Sequence, residues 1–309
     1  MDTPIRIGTR ESMLAVWQAT QVKQLLEKEG IAAVLVPIKS DGDVDLKTPL
    51  YEMGVQGIFT RSLDIALLNN TIDLAVHSMK DVPTQLPEGL QPAAVLKRGP
   101  VHDLLVYKND PEFLGHRDSV AHIATSSIRR IAQWLSRYPH HQIHNLRGNV
   151  NTRLRKLEQE NWDAAIFAQA GLERIGIRPV KSIVLDWMLP APAQGAIVVV
   201  ARAGNEEVLA ACQPLNDADT ALCTKIERDF LRTLLGGCST PISALAEIED
   251  GDLYFRGQLL STDGRQKLEI EKILPSEKAD GIGRMAALEL LEEGGGKAIV
   301  ESIRAAEAK

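Results

Sequence analysis

The chain has 309 residues, 44% of them hydrophobic and 25% charged, which is the composition of a folded globular protein. This length exceeds one ordinary hydrophobic core and predicts two or three domains of about 100 residues each. A net charge of −6 argues against general nucleic-acid binding. No apolar stretch reaches the roughly 20 residues that cross a bilayer, and the N-terminus lacks a signal-peptide pattern, so we expect a cytoplasmic protein.

Two stretches of the chain share a strand–helix–strand–helix–strand order. In the first, the elements are predicted at 5–8, 13–28, 33–38, 60–69 and 72–76. In the second, they are predicted at 120–124, 128–137, 142–146, 151–160 and 162–167. Short connections in this order predict an α/β protein with two doubly wound, parallel-sheet lobes, an architecture similar to that of two-domain periplasmic binding proteins.

The chain beyond residue 189 follows a different pattern. Segment 189–195 contains two prolines and a glycine and interrupts the second unit, and the apolar run 196–200 is predicted to return as a strand to the first sheet. Further along, a small α+β domain is predicted from a helix at 220–235, alternating segments at 242–248 and 253–260, and a helix at 279–292. We therefore expect domain 1 at 1–97 with 196–214, domain 2 at 101–190 and domain 3 at 218–309.

The strand predicted at 72–76 is followed by His77-Ser78-Met79-Lys80-Asp81-Val82-Pro83. Lys80 and Asp81 are thereby delivered to the carboxyl end of a buried strand, which is where open α/β sheets bind their ligands. Pro83 restricts its own φ and favours an extended Val82, so the turn should be stiff. A solvated Lys-Asp turn is the alternative interpretation of the dipeptide alone.

Arginine is concentrated in the second unit, where residues 121–180 hold eight arginines and one lysine. Guanidinium groups bind carboxylates or phosphates bidentately, which favours a small polyanion as the ligand. In both units a cluster of hydroxyl and arginine side chains, 9–12 and 125–130, joins the first strand to its helix. Such helix starts bind anions, although simple N-capping by Ser or Thr also accounts for part of the pattern.

The three cysteines, Cys212, Cys223 and Cys238, form no disulfide framework and no paired metal-binding motif, and we expect no metal. Cys212 and Cys223 fit inert packing positions inside elements. Cys238 follows Gly236-Gly237 in a tight loop, so its thiol is the one suited to covalent chemistry.

Six segments in order resemble the porphobilinogen deaminase family, also called hydroxymethylbilane synthase, over nearly the whole chain. They are HSMKDVP at 77–83, TSSIRR at 125–130, LRGNVNTR at 146–153, AGLERIG at 170–176, PAQGA at 192–196 and GGCSTP at 236–241. The resemblance implies a cytoplasmic, three-domain transferase of tetrapyrrole, porphyrin and heme biosynthesis. Such an enzyme condenses four porphobilinogen molecules head to tail on a dipyrromethane primer, with release of ammonia, and then hydrolyses off the linear hydroxymethylbilane.

The resemblance also implies roles for individual residues. Asp81 would be the catalytic group, stabilising positive charge on the pyrroles, and Cys238 would carry dipyrromethane through a thioether. Substrate and cofactor carboxylates would be bound by Arg10, Ser12, Lys80, Thr125, Ser127, Arg129, Arg130, Arg147, Arg153 and Arg174. Porphobilinogen would be the partner, with no nucleic acid or membrane, and we expect a monomer.

Several positions depart from the family pattern. Relatives often carry lysines where this chain has Glu52 and Gln56, in a glycine-containing segment expected to cover the cleft. Asp41, Met13 and Ser243 stand where arginine or threonine, proline and glycine are commoner. Two other interpretations remain open: a two-domain anion-binding protein without enzymatic activity, and an inactive relative of the family.

Overall fold

The computed structural model describes residues 3–39, 60–234 and 240–307. The strands in these ranges form two five-stranded sheets and one three-stranded sheet. Asp41, Glu52, Gln56 and Cys238 lie outside the described residues.

The first sheet has the strand order β2-β1-β3-β10-β4. Its strands are β1 (Ile5–Thr9), β2 (Ala33–Pro37), β3 (Leu74–Ser78), β4 (Leu90–Val95) and β10 (Ile197–Arg202). The helices packed on it are α1 (Met13–Lys28), α2 (Arg61–Leu68) and α6 (Glu206–Cys212). Both faces of the sheet are therefore covered, and its strands are almost continuously apolar, as expected for a sheet buried on two sides.

The predicted return of the chain to the first sheet is confirmed, because β10 pairs with β3 and β4. The parallel pairing predicted for this lobe holds for β2, β1 and β3, whereas β10 runs antiparallel to both of its neighbours. The reason is topological. The first residue of β10, Ile197, lies opposite Ser78 at the carboxyl end of β3, so the strand enters at that end and must run the other way.

The second sheet repeats this topology with the order β7-β6-β8-β5-β9. Its strands are β5 (Asp103–Tyr107), β6 (His122–Ala124), β7 (Gln142–His144), β8 (Ala164–Ala168) and β9 (Ser182–Leu185). Its helices are α3 (Ile128–Arg137), α4 (Val150–Gln159) and α5 (Gln169–Glu173). Here β5 is the antiparallel strand, so this lobe too is mixed rather than purely parallel.

Two segments connect the lobes, 96–102 and 186–196, and they run side by side. Gly99 N donates to Gly195 O at 3.0 Å. Gly195 has a φ of +86°, and a Cβ atom there would lie 2.7 Å from Gly99 O. Only glycine fits this crossing.

The C-terminal part is an antiparallel sheet covered by helices, which confirms the predicted α+β class. The strands are β11 (Ile242–Glu249), β12 (Asp252–Leu260) and β13 (Lys267–Pro275), and the helices are α7 (Ala218–Thr233), α8 (Ile282–Glu292) and α9 (Gly296–Glu307). Sequence analysis did not predict β13, because charged residues alternate along it as they do in a solvent-exposed segment. The α/β fold class is confirmed, while the boundaries of the three domains stay a prediction.

Candidate active site

Asp81 lies at the carboxyl end of β3, in a single 3₁₀ turn formed by Met79–Asp81. Its carboxylate is exposed and makes no hydrogen bond with another described residue, whereas Lys80 is half-buried. Arg10 follows the parallel neighbour β1 and reaches the same edge of the sheet. His77 lies in β3, and its pKa is lowered to about 4 by burial and by the positive charge of Arg10. The predicted placement of Lys80 and Asp81 after a buried strand is thus what the structure shows.

The turn that carries Asp81 is held by neighbouring elements. From α7, Arg228 Nη1 donates to Met79 O at 3.2 Å and to Val82 O at 2.9 Å, and Nη2 donates to Pro83 O. From α1, Gln18 Nε2 donates to Ser78 Oγ at 2.8 Å. Such fixing matters because catalysis depends on the position of the reacting group to within a fraction of an ångström.

The hydroxyl residues predicted at the two helix starts act as N-caps. Ser12 Oγ accepts from Ala15 N at 3.3 Å at the start of α1, and Ser127 Oγ accepts from Arg130 N at 3.5 Å at the start of α3. Thr125 is buried, and its Oγ1 accepts from Ser127 N at 3.3 Å. A hydroxyl that accepts from the backbone keeps its own proton to donate, so capping and ligand binding are compatible here.

Arg129 and Arg130, predicted to bind ligand carboxylates, already pair with a carboxylate of the protein. Both are 6% exposed, and the Nη2 atom of each lies 2.7 Å from a carboxylate oxygen of the fully buried Asp103. Their Nη1 atoms donate to Leu189 O and Ile166 O. Burial alone would raise the pKa of Asp103, but the two guanidinium groups outweigh it and hold that pKa well below its usual range.

A buried amide connects this ion cluster to the turn of Asp81. Gln194 Nε2 donates to Asp103 Oδ1 at 2.9 Å, and Gln194 Oε1 accepts from Lys80 Nζ at 3.2 Å. Burial lowers the pKa of Lys80 to about 8; Arg130 and Arg129 add to this effect, and Asp81 and Asp103 oppose it. The first lobe, the crossing segment and the second lobe therefore share one polar network.

Arg147 and Arg153 bring further positive charge to the same place. Arg147 is 3% exposed, and Arg153 Nε donates to Gly148 O at 2.7 Å at the start of α4. The pKa of Arg153 falls to about 10, first through burial, then through repulsion by Arg130 and Arg147, while the charge of Asp81 opposes the change. The charge of Asp81 thus acts on Lys80 in the first lobe and on Arg153 in the second.

Arg174 occupies a different position, against the crossing segment. Its Nη2 donates to Gly195 O at 2.5 Å, and its guanidinium carbon lies 5.8 Å from the ring centre of Trp17. Burial lowers its pKa to about 10. Arg174 therefore bridges the second lobe, the crossing and α1.

Sequence analysis missed Asp103, Glu227 and Arg228. Glu227, fully buried in α7, pairs with Arg98 at 2.6 Å and accepts from Ala193 N and Ala246 N. A single carboxylate at the head of the apolar run 104–107 was the one available signal for Asp103. The polar residues of α7 gave none, since a charged helix face is usually solvated.

The fold and the cleft define a two-lobed α/β protein whose facing cations suit a small ligand with several carboxylates. Residues 5–210 match the family model described as porphobilinogen deaminase, dipyromethane cofactor binding domain, and residues 221–292 match the porphobilinogen deaminase C-terminal domain. The chain belongs to the porphobilinogen deaminase family. This confirms the predicted family and enzyme class, that of hydroxymethylbilane synthases, which are transferases of tetrapyrrole biosynthesis.

Individual relatives agree over most of their length. The porphobilinogen deaminase of Syntrophomonas wolfei is 40% identical over 303 residues, which are 96% of this chain and 98% of the relative. That of Syntrophotalea carbinolica is 42% identical over 294 residues, 94% and 93% of the two chains. That of Acidithiobacillus ferrooxidans is 39% identical over 311 residues, 98% of this chain and 99% of the relative.

Solved structures with a similar arrangement include binding proteins. A probable amino-acid ABC transporter extracellular-binding protein from Bacillus subtilis has a TM-score of 0.42 and 12% identity, covering 69% of this chain and 91% of that one. A BvgS VFT2 domain from Bordetella pertussis has a TM-score of 0.41 and 14% identity, covering 69% and 84%. Among the described residues of this chain, no helix is long and apolar enough to span a membrane, and no cluster of three or more His, Cys, Asp or Glu side chains could hold a metal ion.

Proposed function

We propose that this chain condenses four porphobilinogen molecules head to tail with release of ammonia, on a dipyrromethane primer, and then releases the linear tetrapyrrole hydroxymethylbilane. One observation carries the proposal beyond family membership. Lys80 and Arg153, on opposite lobes, both have a lowered pKa, first because each side chain is buried and then because neighbouring cations repel it. Ligand carboxylates would stabilise the charged form of both side chains, and every pyrrole unit carries an acetate and a propionate.

The donor set of the cleft fits dipyrromethane. Arg10, Lys80, Arg147 and Arg153 offer cations from both lobes, and Ser12, Thr125 and Ser127 offer hydroxyl or amide donors at two helix starts. Arg129, Arg130 and Arg174 belong to the same proposed set. They bind protein oxygens with which a ligand must compete, as Lys80 and Arg153 also do. When bound, the group would supply the pyrrole carbon to which the first unit is joined.

Cys238 is the proposed attachment point, through a thioether. It lies outside the described residues, and the support comes from the other two cysteines. Cys212 and Cys223 are buried, and burial raises the pKa of each thiol to about 12. A thiol that cannot ionise is a poor nucleophile, which leaves Cys238 in its glycine loop as the candidate.

Asp81 is the proposed catalytic residue. Its exposed carboxylate makes no hydrogen bond with another described residue, so it is available to a ligand, while Arg228 and Gln18 hold its turn in place. A carboxylate at that point stabilises the positive charge that develops on a pyrrole when ammonia leaves, and it accepts or guides the proton that is lost. Neither task requires another general base.

The test combines turnover with intact mass. We expect Asp81→Ala to lose at least about 100-fold in product formation with an unchanged circular dichroism spectrum, as for removal of a general acid–base group. The matched control is Asp110→Ala, an exposed aspartate in the second lobe. Wild-type protein should weigh more than its polypeptide by a dipyrrole, and Cys238→Ser should not.

The outcomes separate the alternatives. Near-normal turnover by Asp81→Ala rejects the role of Asp81, and a dipyrrole adduct on Cys238→Ser rejects the attachment. Porphobilinogen that binds without release of ammonia would favour the purely anion-binding protein. The proposal includes a cytoplasmic location and a monomeric state. Size-exclusion chromatography with light scattering would check the monomeric state.

A further inference from the structure

A second cavity, of about 540 Å³, lies between the second lobe and the C-terminal domain. Its walls come from the last turn of α3, from Leu114 and Arg117, from Trp187, and from the end of β12 and start of β13. The cavity is separate from the cleft: α3 carries Arg129 near the cleft and Arg137 at the cavity, about 12 Å apart along the helix axis.

The cavity holds one guanidinium group in a fixed position. Arg137 Cζ lies 4.8 Å from the ring centre of Trp187 and 5.7 Å from that of Tyr138, and Arg137 Nε lies 3.3 Å from Tyr138 Oη. Both rings pack in turn on the fully buried Trp134. A stacked guanidinium is pre-organised, so it loses little conformational freedom when its remaining N–H groups bind an anion.

The charge of the cavity is also unbalanced. Within the described ranges, neither Arg117 nor Arg137 forms an ion pair with a carboxylate, and only Lys267 does so, with Glu269 at 2.8 Å. The buried Gln133 is neutral, and its amide already binds Leu189 and, in the C-terminal sheet, Ser243. Exposed arginines are commonly solvated, but here two share a concave wall with aromatic and aliphatic side chains.

We propose that this cavity binds a small planar organic anion with two acidic groups. One acid would pair with Arg137 and the other with Arg117, while the flat body packs against Trp187, Leu114 and Leu260. The volume is within the range of small-molecule pockets, about 300–1,000 Å³. Because the walls belong to two domains, an occupant would link them and stabilise their arrangement.

The experiment uses the purified holoenzyme and naphthalene-2,6-dicarboxylate as the probe, with naphthalene-2,6-dimethanol as its neutral counterpart, in isothermal titration calorimetry. We expect one diacid per chain with a Kd below about 1 mM, and no measurable binding of the neutral compound. Arg137→Gln and Arg117→Gln should each weaken binding about tenfold, the effect of losing one charge-assisted contact of roughly 1.4 kcal/mol. Arg284→Gln, an exposed arginine on α8 behind the C-terminal sheet, should leave the affinity unchanged.

The diacid could instead enter the catalytic cleft, so Arg153→Gln is measured beside these variants. Weakening by Arg153→Gln with no effect of Arg137→Gln would overturn the proposal, because the diacid would then be in the cleft. Equal binding of the neutral compound, or no binding of the diacid up to about 5 mM, would overturn it as well. None of these outcomes bears on turnover of porphobilinogen, so the proposed function is tested separately.

Discussion

Arg228 donates a hydrogen bond of 2.9 Å to the carbonyl of Val82, although 146 residues separate the two in the sequence. The same guanidinium also binds the carbonyls of Met79 and Pro83, so it encloses the turn on which Asp81 stands. A helix of the C-terminal part of the chain thereby sets the position of a group in the first lobe.

Removing this support should impair catalysis more than binding. We expect Arg228→Lys, which cannot reproduce the planar set of donors, to lower kcat by about 100-fold while KM changes much less, because small displacements of a catalytic group are costly. Steady-state kinetics would measure the split. The control is Arg232→Lys, one turn further along α7 and exposed. Equal kcat values for the two variants would show that Arg228 does not position Asp81.

Glu227 should be a large contributor to stability. Its carboxylate is fully buried and accepts hydrogen bonds from both terminal nitrogens of Arg98, at 2.6 and 2.9 Å. It also accepts hydrogen bonds from Ala193 N and Ala246 N. Glu227→Gln leaves a buried guanidinium without its counter-charge, and we expect a loss of about 3–5 kcal/mol in the free energy of unfolding. Urea unfolding of Glu247→Gln, whose pair with Arg256 is exposed, is the comparison, at about 0–1 kcal/mol. Similar losses for the two variants would contradict the assignment.

Lys80 should make substrate binding sensitive to alkaline pH. Its pKa is lowered from 10.5 to about 8, so the amine is charged below pH 8 and becomes neutral above it. A neutral amine no longer attracts a carboxylate, so the KM for porphobilinogen should rise as the pH increases through about 8. Lys80→Arg stays charged throughout and should remove this rise. An identical pH profile in the variant would assign the titration to another group.

Asp103 should make the protein sensitive to acid. Its folded-state pKa is lowered, so its stabilising effect is fully present above the unfolded pKa of about 3.9 and is lost as the pH falls below that value. Asp103→Asn should cost about 3–5 kcal/mol at neutral pH, because it leaves Arg129 and Arg130 buried without a counter-charge. The difference between variant and wild type should shrink below about pH 4, where the carboxylate of the unfolded wild-type chain takes up a proton that the folded chain does not bind. Denaturant unfolding at several pH values would show it, and a constant difference would refute the coupling.

Met13 and Ser243, which the sequence analysis singled out, each form a hydrogen bond between separate parts of the fold. Met13 Sδ accepts from Asn151 Nδ2 at 2.9 Å, between the first turns of α1 and α4 on opposite lobes. Ser243 Oγ accepts from Gln133 Nε2 at 2.9 Å, between the C-terminal sheet and the second lobe. Proline at position 13 and glycine at position 243 could make neither bond; the first bond joins the two lobes, and the second joins the second lobe to the C-terminal sheet.

The sequence by itself determined the family, the α/β class, the course of most helices and strands, and the location of Lys80 and Asp81 at the end of a buried strand. These features depend on periodicity, capping and turn residues, which act over a few neighbouring positions. Only the tertiary structure decided the antiparallel direction of β5 and β10, the pairing of Arg129 and Arg130 with Asp103, and the hydrogen bonds from Arg228 to the turn of Asp81. Those contacts join residues from 26 to 149 positions apart, and whether a charge faces a ligand, water or another buried charge depends on the folded packing that brings them together.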